Sequence, residues 1–258
     1  MKRLIYSLIV FSTCGLLYAG GLAMSRAPSR SFGGEACTLA MTFDDGSIST
    51  DYSPKNDRDV FEFNGTPTIT NVGGQVYAVD FTVESTDAIK VKSSSDDLRP
   101  RTGPYTAEVS FKSAVDFSGG TSAAMIDLRS GSDSDLLIMY LLVAGDKLHV
   151  QLRDDTESVI VADVTDLTDD KWHHVLMTWT NPVMSVYLDG SLLFAATNAL
   201  TVDINPDPGG DIFLFISNSG VVPDVEWGDT IDDVFIFKRH FSAAQARQRY
   251  ELFKGPRK

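Results

Sequence analysis

Cysteine is scarce in this chain, which has two cysteines among its 258 residues. Cys14 lies in an apolar N-terminal segment, and Cys37 lies at the start of the patterned part of the sequence. If the N-terminal segment is cleaved, Cys37 has no intramolecular partner, which excludes a disulfide framework and predicts a small buried hydrophobe. An intermolecular disulfide stays open. Stability must otherwise come from burial of apolar surface, which a domain above about 200 residues can supply.

Positive charge is also scarce. The chain has 22 Lys and Arg against 35 Asp and Glu, so its formal net charge is −13. This balance excludes nucleic acid as a partner, because nothing in the sequence would neutralise the phosphates. The same charge opposes contact with anionic membranes and polyanionic glycans unless a divalent cation intervenes.

One long apolar run, from Leu4 to Met24, follows Lys2 and Arg3. A basic start, an apolar run and small residues near its end are typical of a secretory signal peptide. The run of 21 residues is also long enough to span a bilayer as an uncleaved anchor. Both interpretations, and a lipoprotein cut before Cys14, place the remainder outside the cytoplasm, in the periplasm, at the cell surface or in the extracellular space. The predicted organisation is a signal or anchor (1–25), a linker (26–36), a domain (37–253) and a tail (254–258).

Short apolar runs separated by turn residues dominate the rest of the chain and predict β-strands. Asp189-Gly190, between two apolar runs, is a strong hairpin signal because both residues tolerate positive φ. Gly145-Asp146 predicts a second hairpin. The predicted strands lie near Thr38–Phe43, Val76–Phe81, Ala88–Val91, Tyr105–Phe111, Ala123–Leu128, Leu136–Val143, Leu148–Arg153, Val159–Asp163, His173–Thr180, Met184–Leu188, Ser191–Ala195, Ile212–Ser217 and Asp232–Phe237.

A helix is predicted only near the C-terminus, where Ser242 can cap it and Ala243, Ala244 and Ala246 favour it. Tyr250 and Phe253 can anchor that helix to the domain. Many short strands and one terminal helix predict an all-β fold, an antiparallel two-sheet sandwich with a short C-terminal helix. Neither an internal repeat nor a second hydrophobic core is evident, so one domain is expected.

Three segments together resemble the laminin-G-like, concanavalin A-like jelly-roll family. They are "LAMTFDDGSISTDYSPKND", "DDKWHHVLMTWTNPVMSVYLDGSLLF" and "DTIDDVFIFKRHFSAAQARQRY". The resemblance implies two antiparallel sheets over one core, with the first and last strands side by side. It also implies a choice of functions, because the family includes glycan binders, protein-binding modules, adhesion domains and a minority of enzymes.

Calcium is the cofactor that the acidic residues favour. Ca²⁺ takes six to eight oxygen ligands from carboxylates, carbonyls and water. If the first and last strands are adjacent, Asp44, Asp45 and the Gly46 carbonyl would lie near Asp232 and Asp233. Only one of the two latter side chains is expected to point inward, since neighbours in a regular strand face opposite ways. The alternative is that Asp232 and Asp233 cap the strand end and accept hydrogen bonds from the backbone or from arginine.

Catalytic motifs are not evident. A retaining glycosidase needs two carboxylates about 5 Å apart, and "ESTD" and "EWGD" lack the spacing of the related glucanases. His173 and His174 are adjacent in a predicted strand, so they cannot both bind one metal ion. The predicted ligand contacts are Trp227, in a loop bounded by Pro and Gly, and its neighbour Glu226, whereas Trp172 and Trp179 are expected in the core.

The sequence therefore favours an exported, non-catalytic module that binds a glycan or an extracellular protein surface. The alternatives are a structural or adhesion subunit of a surface assembly and, less favoured, a glycan-degrading enzyme. Membrane contact is expected only through an uncleaved N-terminal segment. The sequence does not specify the oligomeric state.

Overall fold

A computed structural model describes residues 36–43, 53, 61–64, 66–73, 76–81, 88–91, 98, 103–114, 123–129, 136–142, 147–153, 158–161, 167, 169–197, 212–214 and 230–254. The N-terminal segment and linker, up to residue 35, lie outside this set. The described elements are β1 (Cys37–Met41), β2 (Phe61–Asn64), β3 (Thr68–Gly73), β4 (Val76–Asp80), β5 (Ala88–Val91), β6 (Tyr105–Lys112), β7 (Ala123–Arg129), β8 (Leu136–Leu142), β9 (Lys147–Arg153), β10 (Ser158–Val161), β11 (Trp172–Thr180), β12 (Val183–Leu188), β13 (Ser191–Thr197), β14 (Ile212–Leu214), β15 (Thr230–Phe237) and α1 (Ala243–Lys254).

The described strands form two sheets in which the neighbours pair antiparallel. The eight-stranded sheet has the order β13-β12-β11-β6-β15-β4-β3, and β1 also pairs with β15. The seven-stranded sheet has the order β10-β9-β8-β7-β14-β5-β2. The all-β sandwich with a short C-terminal helix, predicted from the sequence, is confirmed.

A single apolar core lies between the two sheets. The eight-stranded sheet contributes Val109 from β6 and Val175, Met177 and Trp179 from β11, all essentially inaccessible to solvent. Met139 and Val150 contribute from the seven-stranded sheet. These residues alternate along their strands, so each strand of the larger sheet has an inner face toward this core and an outer face away from it.

The first and last strands are neighbours, as the family resemblance implied. β1 pairs with β15 in a register that places Met41 opposite Val234. The register of β15 against β6 shifts between Asp232 and Val234, and Asp233 has a left-handed φ of 52°. Asp233 is therefore the extra residue of a β-bulge, which interrupts the alternation of side chains.

The helix α1 begins with a capping box. The Gln245 backbone N–H lies 3.4 Å from Ser242 Oγ, and the Ser242 N–H donates to Gln245 Oε1 at 2.9 Å. This pattern satisfies donors that a helix N-terminus leaves unpaired. The helix packs on the outer face of the larger sheet, where Ala246 and Phe253 are buried. The predicted cap and the predicted anchoring by Phe253 are confirmed.

Two threonines fasten the segment between β15 and α1. Thr106 of β6 and Thr178 of β11 pair in register, with their hydroxyl oxygens 2.9 Å apart. The Thr106 hydroxyl donates to the Arg239 carbonyl at 2.7 Å, and the Phe241 N–H donates to Thr178 Oγ1 at 2.9 Å. The chain is thereby held against the outer face just before the helix starts.

Two described strands, β2 and β3, were not predicted from the sequence. The first, "FEFN", alternates apolar and polar residues but has only four residues. The second, "TITNVG", is polar and glycine-ended, so it carries no clear alternating apolar pattern. The hairpin at Asp189-Gly190 is confirmed, with φ values of 50° and 74°. No helix in the described part of the chain is long and apolar enough to cross a membrane.

Candidate functional site

The outer face of the larger sheet buries a charged pair beneath α1. Glu108 of β6 is 1% exposed. Arg249 of α1 donates from Nε to Glu108 Oε2 at 3.1 Å and from its Nη2 to the other carboxylate oxygen. The guanidinium also lies over the rings of Phe235 and Phe237, at 4.6 and 5.4 Å from their centroids. Because an unpaired buried charge is costly, this bidentate contact fixes the helix on the sheet.

The pair stays ionised in spite of its burial. Burial opposes the charged form of Glu108, but the Arg249 charge and the contact with His174 outweigh it and lower the pKa of Glu108 to about 2. His174 Nε2 lies 3.5 Å from Glu108 Oε2, and its ring stacks on Phe253 at 5.5 Å. Glu108, His174 and Arg249 therefore connect two strands to the helix.

Asp232 and Asp233, predicted as calcium ligands, lie in this same buried region. Asp232 is opposite Ser110, whose position on β6 alternates with the inner residues, and it accepts the Asp233 N–H at 2.8 Å. The expectation that only one of the two points inward stays a prediction. The bulge breaks the alternation, and both are buried, at 0% and 6% exposure.

The surroundings of this aspartate pair favour a structural role. Burial opposes the positive charge of Arg249. The negative charges of Glu108 and, to a smaller extent, Asp233 outweigh burial and raise the pKa of Arg249. Within the described ranges, no group of three or more His, Cys, Asp or Glu is placed to hold a metal ion. Asp44, Asp45 and Gly46, the other predicted calcium ligands, lie outside those ranges.

A second polar cluster surrounds His173, at the start of β11. Its Nδ1 lies 2.9 Å from Asp189 Oδ2, and its Nε2 lies 3.1 Å from Asp169 Oδ1. Burial lowers the pKa of His173, but the two aspartates outweigh it and hold the pKa above its usual value. The ring of His173 lies beside Phe111, an inner residue, whereas His174 faces the helix, so the prediction that the two histidines face opposite ways is confirmed.

A surface cleft of about 470 Å³ opens between the last turn of α1 and the edge formed by the end of β6 and the start of β11. We call it the outer cleft. Ligand sites in proteins are typically 300–1,000 Å³ and combine apolar walls with a few polar groups. Three aromatic side chains and four charged ones line the cleft: Trp172, Tyr250, Phe253, Lys112, Lys171, Lys254 and Asp170.

The aromatic part of the outer cleft is built by strand and helix together. The rings of Trp172 and Phe253 meet edge to face with centroids 6.1 Å apart, and Tyr250 lies 6.4 Å from Phe253. Trp179 is in the core as predicted, but the same prediction for Trp172 is wrong. Trp172 shares the outer face with His174, two residues along the strand, and is only partly buried.

The hairpin turn supports the back of this aromatic wall. Gly190 has a φ of 74°, and a Cβ at that position would lie 3.0 Å from Tyr250 Cβ. Glycine is required there both for the turn and for the close approach of the helix. Asp189, the preceding turn residue, also accepts the His174 backbone N–H at 2.9 Å.

Lysine–carboxylate pairs surround the aromatic wall. Lys112 Nζ lies 2.6 Å from Asp170, Lys254 Nζ lies 2.7 Å from Glu251, and Lys171 pairs with Asp169. We call these three pairs the polar frame. Exposed ion pairs of this kind contribute about 0–1 kcal/mol, so an incoming ligand can replace one partner at little cost.

The ligand residues predicted from the sequence, Trp227 and Glu226, lie outside the described ranges. The outer cleft was not predicted as a site, although Tyr250 and Phe253 were predicted to anchor the helix. Their spacing of three places both on one helix face, and that face continues toward the basic end of the helix at Lys254. This pattern, next to the partly exposed start of a strand, is the signal that could have indicated the cleft.

Solved structures with the same fold include binding domains of larger proteins. The binding domain of Paraclostridial Mosquitocidal Protein 1 is 11% identical with a TM-score of 0.70, covering 86% of this chain and 53% of that one. The binding domain of botulinum neurotoxin serotype G is 14% identical with a TM-score of 0.64, covering 84% and 51%. The chain thus spans about half the length of these toxin domains.

A third structure is matched over almost its whole length. Domain 4 of AbnA, an extracellular arabinanase of family GH43 from Geobacillus stearothermophilus, was solved in complex with arabinotriose. It is 14% identical with a TM-score of 0.61, covering 82% of this chain and 97% of that one. At such identities these likenesses show the fold alone.

The sequence itself matches a family model. No curated protein is significantly similar to this chain. Residues 83–247 match the model Laminin_G_3, described as the concanavalin A-like lectin/glucanases superfamily. Because that match covers more than half of the sequence, the chain belongs to the concanavalin A-like lectin/glucanases superfamily.

Proposed function

We propose that this chain is an exported, non-catalytic module that binds a glycan outside the cytoplasm. The observation that carries the proposal is the outer cleft, in which Trp172, Tyr250 and Phe253 form an apolar wall beside charged groups. Sugar rings have one or two faces of C–H groups, and these pack well on the electron-rich faces of aromatic side chains. Sugar hydroxyls need donors and acceptors at the edge of such a wall, and the polar frame supplies both.

The electrostatics of Glu108 and Asp169 support binding rather than glycan hydrolysis. A glycosidase needs a carboxylic acid whose pKa is raised, so that it is protonated at neutral pH. The pKa of Glu108 is instead lowered to about 2. Burial opposes the charge on Asp169, but hydrogen bonds from Lys171 and His173 outweigh it and lower its pKa. Neither carboxyl is suited to act as a general acid.

The export part of the proposal comes from the sequence. Lys2 and Arg3 followed by the apolar run to Met24 fit a secretory signal or an anchor. The similar solved structures support a binding role outside the cell, since they include toxin binding domains and a domain of an extracellular arabinanase that was solved with arabinotriose.

A glycan array with the purified chain tests the function. We expect reproducible binding to a small set of oligosaccharides and no release of reducing ends from them after prolonged incubation. Trp172→Ala should abolish the array signal, whereas Leu192→Ala, which alters an exposed apolar residue away from the cleft, should retain it. Release of reducing ends would show an enzyme. Silence across the array would contradict a glycan-binding function and favour a protein partner or a structural role.

Calcium is a separate proposal, with Asp44, Asp45, the Gly46 carbonyl and Asp232 or Asp233 as the expected ligands. A cation that binds only the folded state raises the unfolding midpoint. We expect added calcium to raise the midpoint over that in chelator, and Asp44→Ala/Asp45→Ala to lose this rise. An equal midpoint in chelator and calcium for the unchanged protein would remove calcium from the account.

A further inference from the structure

The polar frame of the outer cleft is electrically balanced. Its three lysines, Lys112, Lys171 and Lys254, are each paired with one carboxylate, from Asp170, Asp169 and Glu251 in turn. The formal charges therefore cancel, even though the lysines alone suggest a site for anions. This balance separates charge from hydrogen-bonding capacity. Three ammonium groups and the Asp170 carboxylate line the cleft, and the carboxylates of Asp169 and Glu251 are paired with two of those lysines.

Two longer-range fields act against an anion in this cleft. The C-terminal end of a helix carries a partial negative charge, and the last turn of α1, with Phe253 and Lys254, forms one wall. The chain as a whole carries a formal net charge of −13. Neither field penalises a neutral ligand, so the electrostatic setting discriminates against acidic groups.

The hydrogen-bonding capacity suits hydroxyl groups. A hydroxyl is both a donor and an acceptor. Each lysine–carboxylate pair offers the complementary set, an ammonium that donates and a carboxylate that accepts. Lys171 and Asp170 are the most open members of the frame, with side chains 73% and 65% exposed, and they directly precede Trp172 in the chain.

The walls are fixed in place before any ligand arrives. Tyr250 is pressed against Gly190 of the hairpin turn, and Phe253 is stacked on His174. Arg249, which directly precedes Tyr250 in the helix, is hydrogen-bonded to Glu108. A preformed aromatic wall costs little conformational entropy on binding.

We infer that the outer cleft is a binding site selective for a neutral saccharide unit. The ring of this unit packs on the aromatic wall, and its hydroxyls bind the polar frame. Acidic saccharides are disfavoured by the negative end of the helix and by the net negative charge of the chain. This inference rests on the proposed glycan-binding function and adds the class of sugar.

Matched pairs of oligosaccharides test the selectivity. Each pair shares one backbone: a uronate oligomer and its methyl ester, a sialylated glycan and its desialylated form, and a sulfated glycan and its desulfated form. For the pairs in which the chain binds one member, we expect the neutral form to bind at least tenfold more tightly at low salt. The gap should narrow as salt screens the negative fields.

Charge variants of the frame identify the cleft as the source of selectivity. Asp170→Asn leaves one lysine charge uncompensated, and asparagine tolerates the positive φ of 59° at this position. The ratio of neutral to acidic affinity should fall roughly fivefold, as expected for one charge removed about 4 Å from the acidic group in water. Asp80→Asn removes the same charge from β4, outside the cleft lining, and should leave the ratio unchanged.

The outcomes separate the inference from the proposed function. Equal or tighter binding of the acidic members would overturn the inference and leave glycan binding intact. An unchanged ratio in Asp170→Asn, with affinity unchanged in Trp172→Ala, would overturn the assignment of the site. The absence of binding to every saccharide would overturn both. If the variants unfold at midpoints close to that of the unchanged protein, loss of folding does not explain the changes in affinity.

Discussion

Both faces of β6 and β11, in the eight-stranded sheet, are buried, but by different chemistry. The inner face of β6 and β11 contributes apolar side chains such as Val109 and Met177 to the core between the sheets. The outer face of the same strands holds Glu108 and His174 beneath the helix. Apolar burial is non-directional and tolerant of small shifts, whereas the charged pair requires one position of the helix. The inner face thus stabilises the sandwich, and the outer face positions the walls of the cleft.

The largest effect is expected from breaking the charged pair. Arg249→Met leaves Glu108 buried without its main partner, which should lower the free energy of unfolding by about 3–5 kcal/mol. Urea unfolding at pH 7 measures this loss. The double variant Glu108→Leu/Arg249→Met, which leaves no uncompensated charge, should recover most of it. A single variant within about 1 kcal/mol of the unchanged protein would mean that the pair does not hold the helix.

A core substitution on the other face of β11 gives the matched comparison. Met177→Ala should lower the free energy of unfolding by about 2–4 kcal/mol through lost apolar contact and a residual cavity. Met177 is fully buried in the inner core, so this loss should be the same at pH 4 and pH 7. A loss that varies with pH would contradict the separation of the two faces.

Acid should weaken the outer face specifically. The pKa of Glu108 is lowered to about 2, so its stabilising contribution is present above the unfolded pKa near 4.5 and is lost as the pH falls toward 2. The stability difference between the unchanged protein and Glu108→Gln should therefore shrink by about 2–3 kcal/mol between pH 5 and pH 2. Parallel stability curves for the two proteins would show that the carboxylate is not held in its charged form.

The smallest effect is expected at His173, which contacts Asp169 and Asp189. The pKa of His173 is raised, so its contribution is complete below the unfolded pKa and is lost as the pH rises through the folded value. His173→Gln should cost about 1 kcal/mol or less at pH 5.5, and the cost should decline toward pH 8. Thermal unfolding at the two pH values measures it, and a cost that grows with pH would reverse the assigned sign.

Much of the fold could be predicted because local sequence patterns specify it. Alternation along β6 gives Tyr105, Ala107, Val109 and Phe111 on one face, and all four are in the core. The positive φ of Asp189 and Gly190 follows from the turn chemistry of that dipeptide. The capping role of Ser242 follows from its place before an alanine-rich segment.

The outer face could not be predicted in the same way. The alternate residues of β6, Thr106, Glu108 and Ser110, have the pattern of a solvated face, yet all are buried. Their burial depends on where α1 returns, 141 residues further along the chain from Glu108 to Arg249. Local sequence does not specify such a distant pairing. For the same reason Trp172 was wrongly predicted to lie in the core. The bulge at Asp233 depends likewise on the register of β15 against its neighbours.

The most direct test of the account is an NMR titration of the ¹⁵N-labelled chain with the tightest neutral oligosaccharide from the array. Trp172 lines the outer cleft on one face of β11, and Trp179 lies in the core on the other. The account predicts that the indole N–H signal of Trp172 shifts in proportion to saturation while that of Trp179 stays in place. Saturable binding that leaves the Trp172 signal unmoved would contradict the outer cleft as the binding site.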